Sequence, residues 1–213
     1  MTEQTTDRLI GSLTQDLAPV RPLRPPALRA VLWLAPVALI AAAAVSRWAN
    51  LGQFVNRYSD SRMALQCAAI ALTAVTGIVA AFYLSLPDRS SLWRYAPLPP
   101  LALWIATSGL GCWDYGVGLG PAGDRIGTSA HCFRFILMLS IPLAVLLYAV
   151  LRRARPLATL PVSLTAALGI AALAAFMLQF FHPFDTTLVD LAAHLCAVAV
   201  VMGLASLARR ALA

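Results

Sequence analysis

Four cysteines, three histidines and a handful of aspartates are the residues of this chain able to hold a metal, exchange electrons or move protons. Cys112 and Cys132 flank a glycine-rich stretch, Trp113–His131, with Asp114 and His131 beside them. His182 and Asp185 stand at the head of a later apolar run, and Asp190 and His194 lie four residues apart within it. Cys67 and Cys196 are isolated among apolar neighbours and read as inert small apolar residues. Two cysteines can form a disulfide only with their Cα atoms about 6 Å apart, which spacing alone does not decide for Cys112 and Cys132. Asp114, His131, Cys132, His182 and Asp185 are a conceivable mixed-donor metal set. Yet neither C-x-x-C nor H-x-x-x-H spacing is present, so the pattern of a compact zinc site is missing. A metal ion at this face stays open, and no other cofactor is indicated. Asp190 and His194 share a helix face and can hydrogen-bond to each other; histidine would make such a pair responsive near neutral pH.

The elements that must carry these residues are apolar helices. Hydrophobic residues make up 60% of the chain and charged residues 12%, about half the charge of a soluble domain. A bilayer core near 30 Å thick needs about 20 apolar residues per crossing. Six stretches qualify: Leu28–Ser46, Met63–Leu86, Tyr95–Cys112, Phe133–Leu151, Leu157–Phe181 and Thr186–Leu207. A closed barrel would show polar–apolar alternation, and Ala35–Val45 and Ala68–Ala81 show none. The expected fold is therefore all-α: a polytopic bundle of six transmembrane helices over residues 28–213, preceded by a polar tail, residues 1–27. That tail has no apolar core behind a basic start, so it is expected to remain on the mature protein.

All 16 basic residues are arginines. With the tail in the cytoplasm, eleven fall inside: Arg8, Arg21, Arg24, Arg29, Arg89, Arg94, Arg152, Arg153, Arg155, Arg209 and Arg210. Arg47, Arg57, Arg62, Arg125 and Arg134 fall outside, which satisfies the positive-inside rule. The net charge of +7 is thus topological and gives no soluble basic surface for direct nucleic-acid binding. Both termini are placed in the cytoplasm of a bacterial cell with the bundle in the inner membrane. Cys112, Cys132, His131 and His182 then lie at the outer edge, where a disulfide can persist. Cys67 lies about one turn below that edge, and Cys196 near the midplane.

Thr5–Leu17 reads as a short amphipathic helix, with Thr5 or Thr6 as its cap and Pro19 as its stop. Leu9, Leu13 and Leu17 recur every fourth residue with Ile10 beside them, which makes one narrow apolar stripe. A helix this short is marginal in water and needs a surface to cover the stripe. Membrane-surface helices carry a basic polar face, whereas this one has Asp7, Gln15 and Asp16 against Arg8 alone. A groove on a partner protein is the better fit. Pro19, Pro22, Pro25 and Pro26 form a stiff tether to the first span.

The chain resembles the NrsF-type family of bacterial six-span membrane anti-sigma factors. The resemblance lies in the tail pattern Leu9-Ile10-x-x-Leu13-x-x-x-Leu17-x-Pro19-Val20-x-x-Leu23 and in Leu151-Arg152-Arg153-Ala154-Arg155-Pro156-Leu157. Gly111-Cys112-Trp113-Asp114, Cys132-Phe133 and His182-Pro183-Phe184-Asp185 add to it. It implies that Leu9, Ile10, Leu13 and Leu17 capture an extracytoplasmic-function sigma factor. It further implies that outer-face stress, redox or heavy metal, releases the sigma factor through Cys112 and Cys132. Members often carry a cysteine after the fifth span, where this chain has His182-Pro183, so His182 and Asp185 join the candidate sensing residues. The oligomeric state is not readable.

Two other classes fit less well. Gly127-Thr128-Ser129 ahead of the fourth span and His194 in the sixth imitate the Ser–His dyad of a rhomboid-type intramembrane serine protease. However, Ala130 and Ala197 stand where glycines are expected, and the second span offers no His or Asn as an oxyanion donor. A small transporter would show repeated halves, which are not evident. The chain is therefore read as a non-enzyme.

Overall fold

The computed structural model describes residues 3–15, 22–114, 122–181 and 188–212; within these, the side chains of 3–4, 57, 110–114, 122–129, 188–190 and 211 are not described. Every regular element among the described residues is helical. A 13-residue helix, α1 (Glu3–Gln15), precedes α2 (Pro26–Trp48), the eight-residue α3 (Leu51–Tyr58) and α4 (Ser61–Leu84). A 3-10 turn (Ser91–Tyr95) leads into α5 (Leu98–Asp114), followed by α6 (Ala122–Leu151), α7 (Thr159–Leu178) and α8 (Leu188–Ala208).

Five of these helices are long and apolar enough to cross a bilayer: Pro26–Trp48, Ser61–Leu84, Ala130–Ala154, Thr159–Leu178 and Leu191–Ala208. α5 has 17 residues, about 25 Å at 1.5 Å each, and falls just short of that length. It starts later than the expected Tyr95 because Pro97 closes the preceding turn. Pro99 and Pro100 then occupy the first helical turn, where their missing N–H groups cost nothing. α6 differs in the other direction. It begins at Ala122 rather than Phe133 and runs for 30 residues, so residues expected in a loop extend the helix beyond the apolar span.

Local chemistry sets the other ends. Pro26 occupies the first turn of α2, a position preset for proline. Asn50 caps α3 by accepting from the Gln53 N–H at 3.1 Å, and Asp60 caps α4 through the Arg62 N–H at 2.7 Å. After α6, Arg155 takes a left-handed conformation, φ 45°, and the buried Pro156 follows it. Pro36 and Pro142 lie inside α2 and α6, as membrane helices tolerate.

α4 and α7 form the centre. Their span windows are 50% and 67% buried, against 17–22% for the other three spans. They cross at Gly77 and Gly169. A Cβ on Gly169 would lie 2.7 Å from the Ile78 nitrogen, and one on Gly77 would lie 2.8 Å from the Gly169 Cα. Backbones approach this closely only where side chains are absent, which is how helices associate in lipid without a hydrophobic drive.

One end of the bundle carries the root of the tail. There Ala30 and Trp33 of α2 pack with Ile78, Ala81 and Phe82 of α4, Leu147 and Leu151 of α6, Val162, Ala166 and Ile170 of α7, and Leu212 near the carboxy terminus. At the opposite, far end, Ala69, Ile70 and Ala74 of α4 pack with Trp104, Cys132, Ile136, Ala175, Leu178 and Ala197.

Candidate functional site

The tail helix α1 presents its stripe to solvent. Leu9, Ile10 and Leu13 are 56%, 54% and 61% exposed, a costly state for three aliphatic side chains on a helix too short to be stable alone. The expected cap is corrected: α1 starts at Glu3, so Thr5 and Thr6 lie within its first turns rather than ahead of them. Later in the helix, the Thr14 hydroxyl donates to the Ile10 carbonyl at 2.9 Å and the Ser12 hydroxyl to the Leu9 carbonyl at 2.9 Å, which satisfies those hydroxyls locally and leaves the stripe uninterrupted. Leu17, the fourth expected contact, lies outside the described residues.

Where the tail enters the bundle, Arg29 is buried at 8% exposure. Its Nη1 donates to Ser85 Oγ at 3.4 Å and its Nη2 to the Val150 carbonyl at 3.3 Å. The guanidinium stands 5.2 Å from the centroid of the Phe82 ring, close enough for a cation–π attraction. The Ser85 hydroxyl itself donates to the Phe82 carbonyl at 2.7 Å, which turns a lone pair towards Arg29. Both partners sit where helices end, α4 at Leu84 and α6 at Leu151. Helix C-termini carry partial negative charge, so two of them together favour a buried cation held by a hydroxyl, a carbonyl and a ring. Arg29 thereby ties the start of α2 to the carboxy-terminal ends of α4 and α6. Sequence reading counted it only as a topology marker. The signal available was a charge within the first turn of an apolar span, where a group must find internal partners.

At the far end, Cys132 and His131 part company. His131 is exposed and Cys132 is buried at 2% within the apolar cluster of Trp104, Ile136 and Leu178. Depth along the span does not decide which way residue 132 faces, and α6 turns that side chain inward onto α4 and α7. Cys112 lies in the last turn of α5 with its side chain not described, and His182 and Asp185 lie outside the described residues. Of these five candidates only His131 and Cys132 have described side chains, so the grouping of all five lies outside the described residues. Asp190 and His194 share α8, one turn apart; His194 is buried at 5%, and the Asp190 side chain is not described. The side chain of Ser129, needed for the protease reading, is likewise not described. Among the described residues no group of three His, Cys, Asp or Glu side chains is arranged to hold a metal ion. Cys67 is half-buried and Cys196 exposed.

An aromatic cluster at the far end was not anticipated. Phe54 of α3 stacks on Phe180, centroids 4.3 Å apart and rings 14° from parallel, and Phe180 meets Phe176 edge-on at 5.4 Å. The Tyr58 hydroxyl donates to Gln179 Oε1 at 2.6 Å. At the tail end, Trp93 stacks on Tyr83 at 4.0 Å. Aromatic side chains at both ends of the helices match the belts found at membrane–water boundaries.

Against known proteins, the family profile described as NrsF, negative regulator of sigma F, matches residues 13–213. No curated protein and no solved structure matches the chain. The matched stretch takes in all the long helices and begins within α1, so Leu13 falls inside it and Leu9 and Ile10 precede it.

Proposed function

This chain belongs to the NrsF family, negative regulators of sigma F, and from that membership we propose that it holds an extracytoplasmic-function sigma factor inactive at a bacterial inner membrane. The single observation that carries the reading is the exposed stripe Leu9, Ile10 and Leu13 on a helix joined by a proline-rich tether to the first span. A stripe of this kind docks into an apolar groove, and the spacing i, i+1, i+4 is that of helix-in-groove anchors. Leu17 would extend it by one turn.

The tail faces the cytoplasm in this reading, supported by the excess of arginines at its end of the bundle. Arg89, Arg94, Arg152, Arg153, Arg155, Arg209 and Arg210 are exposed on that side, as the positive-inside rule expects. α5 serves as the sixth crossing. In support, Ala30 and Leu212 share one buried cluster, so the start of the first span and the carboxy terminus lie at the same end and the number of crossings is even. Cys112, Cys132, His131, His182 and Asp185 are then the outward-facing input, with Asp190 and His194 beneath them. Because Cys132 is packed among apolar side chains, modification of its sulfur would force α6 away from α4 and α7. Redox or metal stress acting there would disturb packing before it altered charge.

The test is co-purification. The intact protein, and a version lacking residues 1–25, are each expressed with candidate sigma factors and recovered from detergent. Retention by the intact chain alone is expected. Equal retention by the tail-less chain, or retention by neither, would overturn the proposal.

A further inference from the structure

The short helix α3 has an apolar stripe that the bundle covers only in part. At 3.6 residues per turn, Leu51, Phe54, Val55 and Tyr58 fall within an arc of about 100°. Gln53 and Asn56 lie on the opposite side and are exposed. One edge of the stripe is occupied: Phe54 stacks on Phe180, and Tyr58 bonds to Gln179 just past the end of α7. The other edge is open, with Leu51 47% and Val55 65% exposed.

The connections say what covers it. α3 is joined to α2 by Ala49 and Asn50 and to α4 by Ser59 and Asp60, two residues on each side. Both neighbours are long enough to cross a bilayer, so α3 cannot leave the level at which they enter and exit. Trp48, immediately before it, is 74% exposed, as suits an aromatic residue at that boundary. A helix pinned at this depth with half an apolar stripe open and its polar residues opposite is shaped to lie in the interface plane.

We propose that α3 is an interfacial helix whose Leu51–Val55 edge is seated among phospholipid acyl chains of the leaflet opposite the tail, while Phe54 and Tyr58 fasten it to the outer end of α7. The seating requires that α2 and α4 cross the membrane and does not depend on capture of a sigma factor. Its consequence reaches further, because α7 is the most buried span. The state of that leaflet acts, through Phe54 and Tyr58, directly on the helix at the centre of the bundle.

The experiment uses the full chain at one copy per lipid nanodisc, so that no second molecule can cover the stripe. Phosphatidylglycerol and phosphatidylethanolamine carrying a diazirine in the acyl chain are photoactivated, and the adducts are mapped by mass spectrometry. A parallel sample is footprinted with hydroxyl radicals from water. Leu51 and Val55 should carry lipid adducts several-fold above Gln53 and Asn56, and should be protected from hydroxyl radicals relative to Leu9 and Leu13 of the tail. Oxidation of Leu51 and Val55 at the rate of Leu9 and Leu13 overturns the proposal. So does protection of these two residues without lipid adducts, or even labelling around α3.

Discussion

Replacing Leu13 by alanine isolates the tail stripe with little disturbance of anything else. Alanine is the best helix former, and Leu13 touches solvent over 61% of its surface, so α1 itself is not weakened. Full burial of a leucine contributes about 1.5–3 kcal/mol. The fraction still exposed on Leu13 is therefore worth about 0.9–1.8 kcal/mol on docking, and Leu9, Ile10 and Leu13 together about 2.5–5 kcal/mol. Micromolar affinity needs about 8 kcal/mol, so the described stripe supplies about a third to three-fifths of it. Leu17 and polar contacts at the tail or inner loops must provide the rest. Leu13→Ala, which keeps one methyl group, should weaken binding about three- to tenfold. Leu13→Asp should weaken it more, because a carboxylate would be carried into an apolar groove. The assay is titration of the captured sigma factor against the full chain in nanodiscs, with a sigma-dependent reporter in cells. Asp7→Asn, on the polar side, is the control and should stay within about twofold, as surface substitutions do. If Leu13→Ala binds as tightly as the parent while removal of residues 1–25 abolishes binding, the stripe is not the contact surface and the groove mechanism is wrong.

The centre of the bundle makes a second prediction. Gly169→Ala places a Cβ 2.7 Å from the Ile78 nitrogen and 3.0 Å from the Ala74 carbonyl oxygen, so α4 and α7 must separate at a cost of about 1–3 kcal/mol. Gly203→Ala meets nothing within 4 Å and should leave the thermal midpoint in detergent unchanged or slightly raised; equal behaviour of the two variants would contradict the crossing. Arg29→Met removes the donors to Ser85 and Val150 and should lower the midpoint by the equivalent of about 1–3 kcal/mol, whereas Ser85→Ala should cost less because Val150 and the Phe82 ring remain. An Arg29→Met midpoint equal to that of the parent would show that Arg29 fastens nothing. Cys132, at 2% exposure, should react with a water-soluble maleimide far more slowly in the folded protein than after denaturation in SDS. Similar rates would show that the thiol is not packed as described.

The helices were legible because their cause is one-dimensional. A run of about 20 apolar residues forms a helix wherever a bilayer removes water from its backbone, and the expected spans Met63–Leu86 and Thr186–Leu207 differ from α4 and α8 by two residues or fewer at each end. α3 escaped because eight residues cannot announce a span. Its period, Leu51, Phe54, Val55 and Tyr58, was present in the sequence but fell inside a stretch read only as a connection. The extra turns of α6 escaped for a related reason. Gly123, Gly127 and Asp124 are loop-type residues by composition, yet they continue a helix already propagated from the span, where adding a residue costs far less than nucleating anew.

Side-chain direction was the less legible part, and Cys132 and Arg29 show why. Each was placed at the correct end of the molecule by topology alone. The depth of a residue along a span follows from counting, but the way it faces depends on which neighbouring helices pack against it. Cys132 faces α4 and α7 because those two make the centre. That centre is decided by Gly77 and Gly169, two glycines in separate spans whose meeting no local pattern reveals. Arg29 faces the ends of α4 and α6 for the same reason: once α4 is central, its carboxy-terminal turn lies beside the first turn of α2. A buried arginine with a hydroxyl, a carbonyl and a ring for partners is then a fastening between the root of the tail and two spans that reach the far end. The contacts that join the root of the tail to the cysteine end therefore exist only in three dimensions. In the sequence, Arg29 is one of eleven arginines expected on the tail's side, and only its place in the first turn of an apolar span distinguishes it from the other ten.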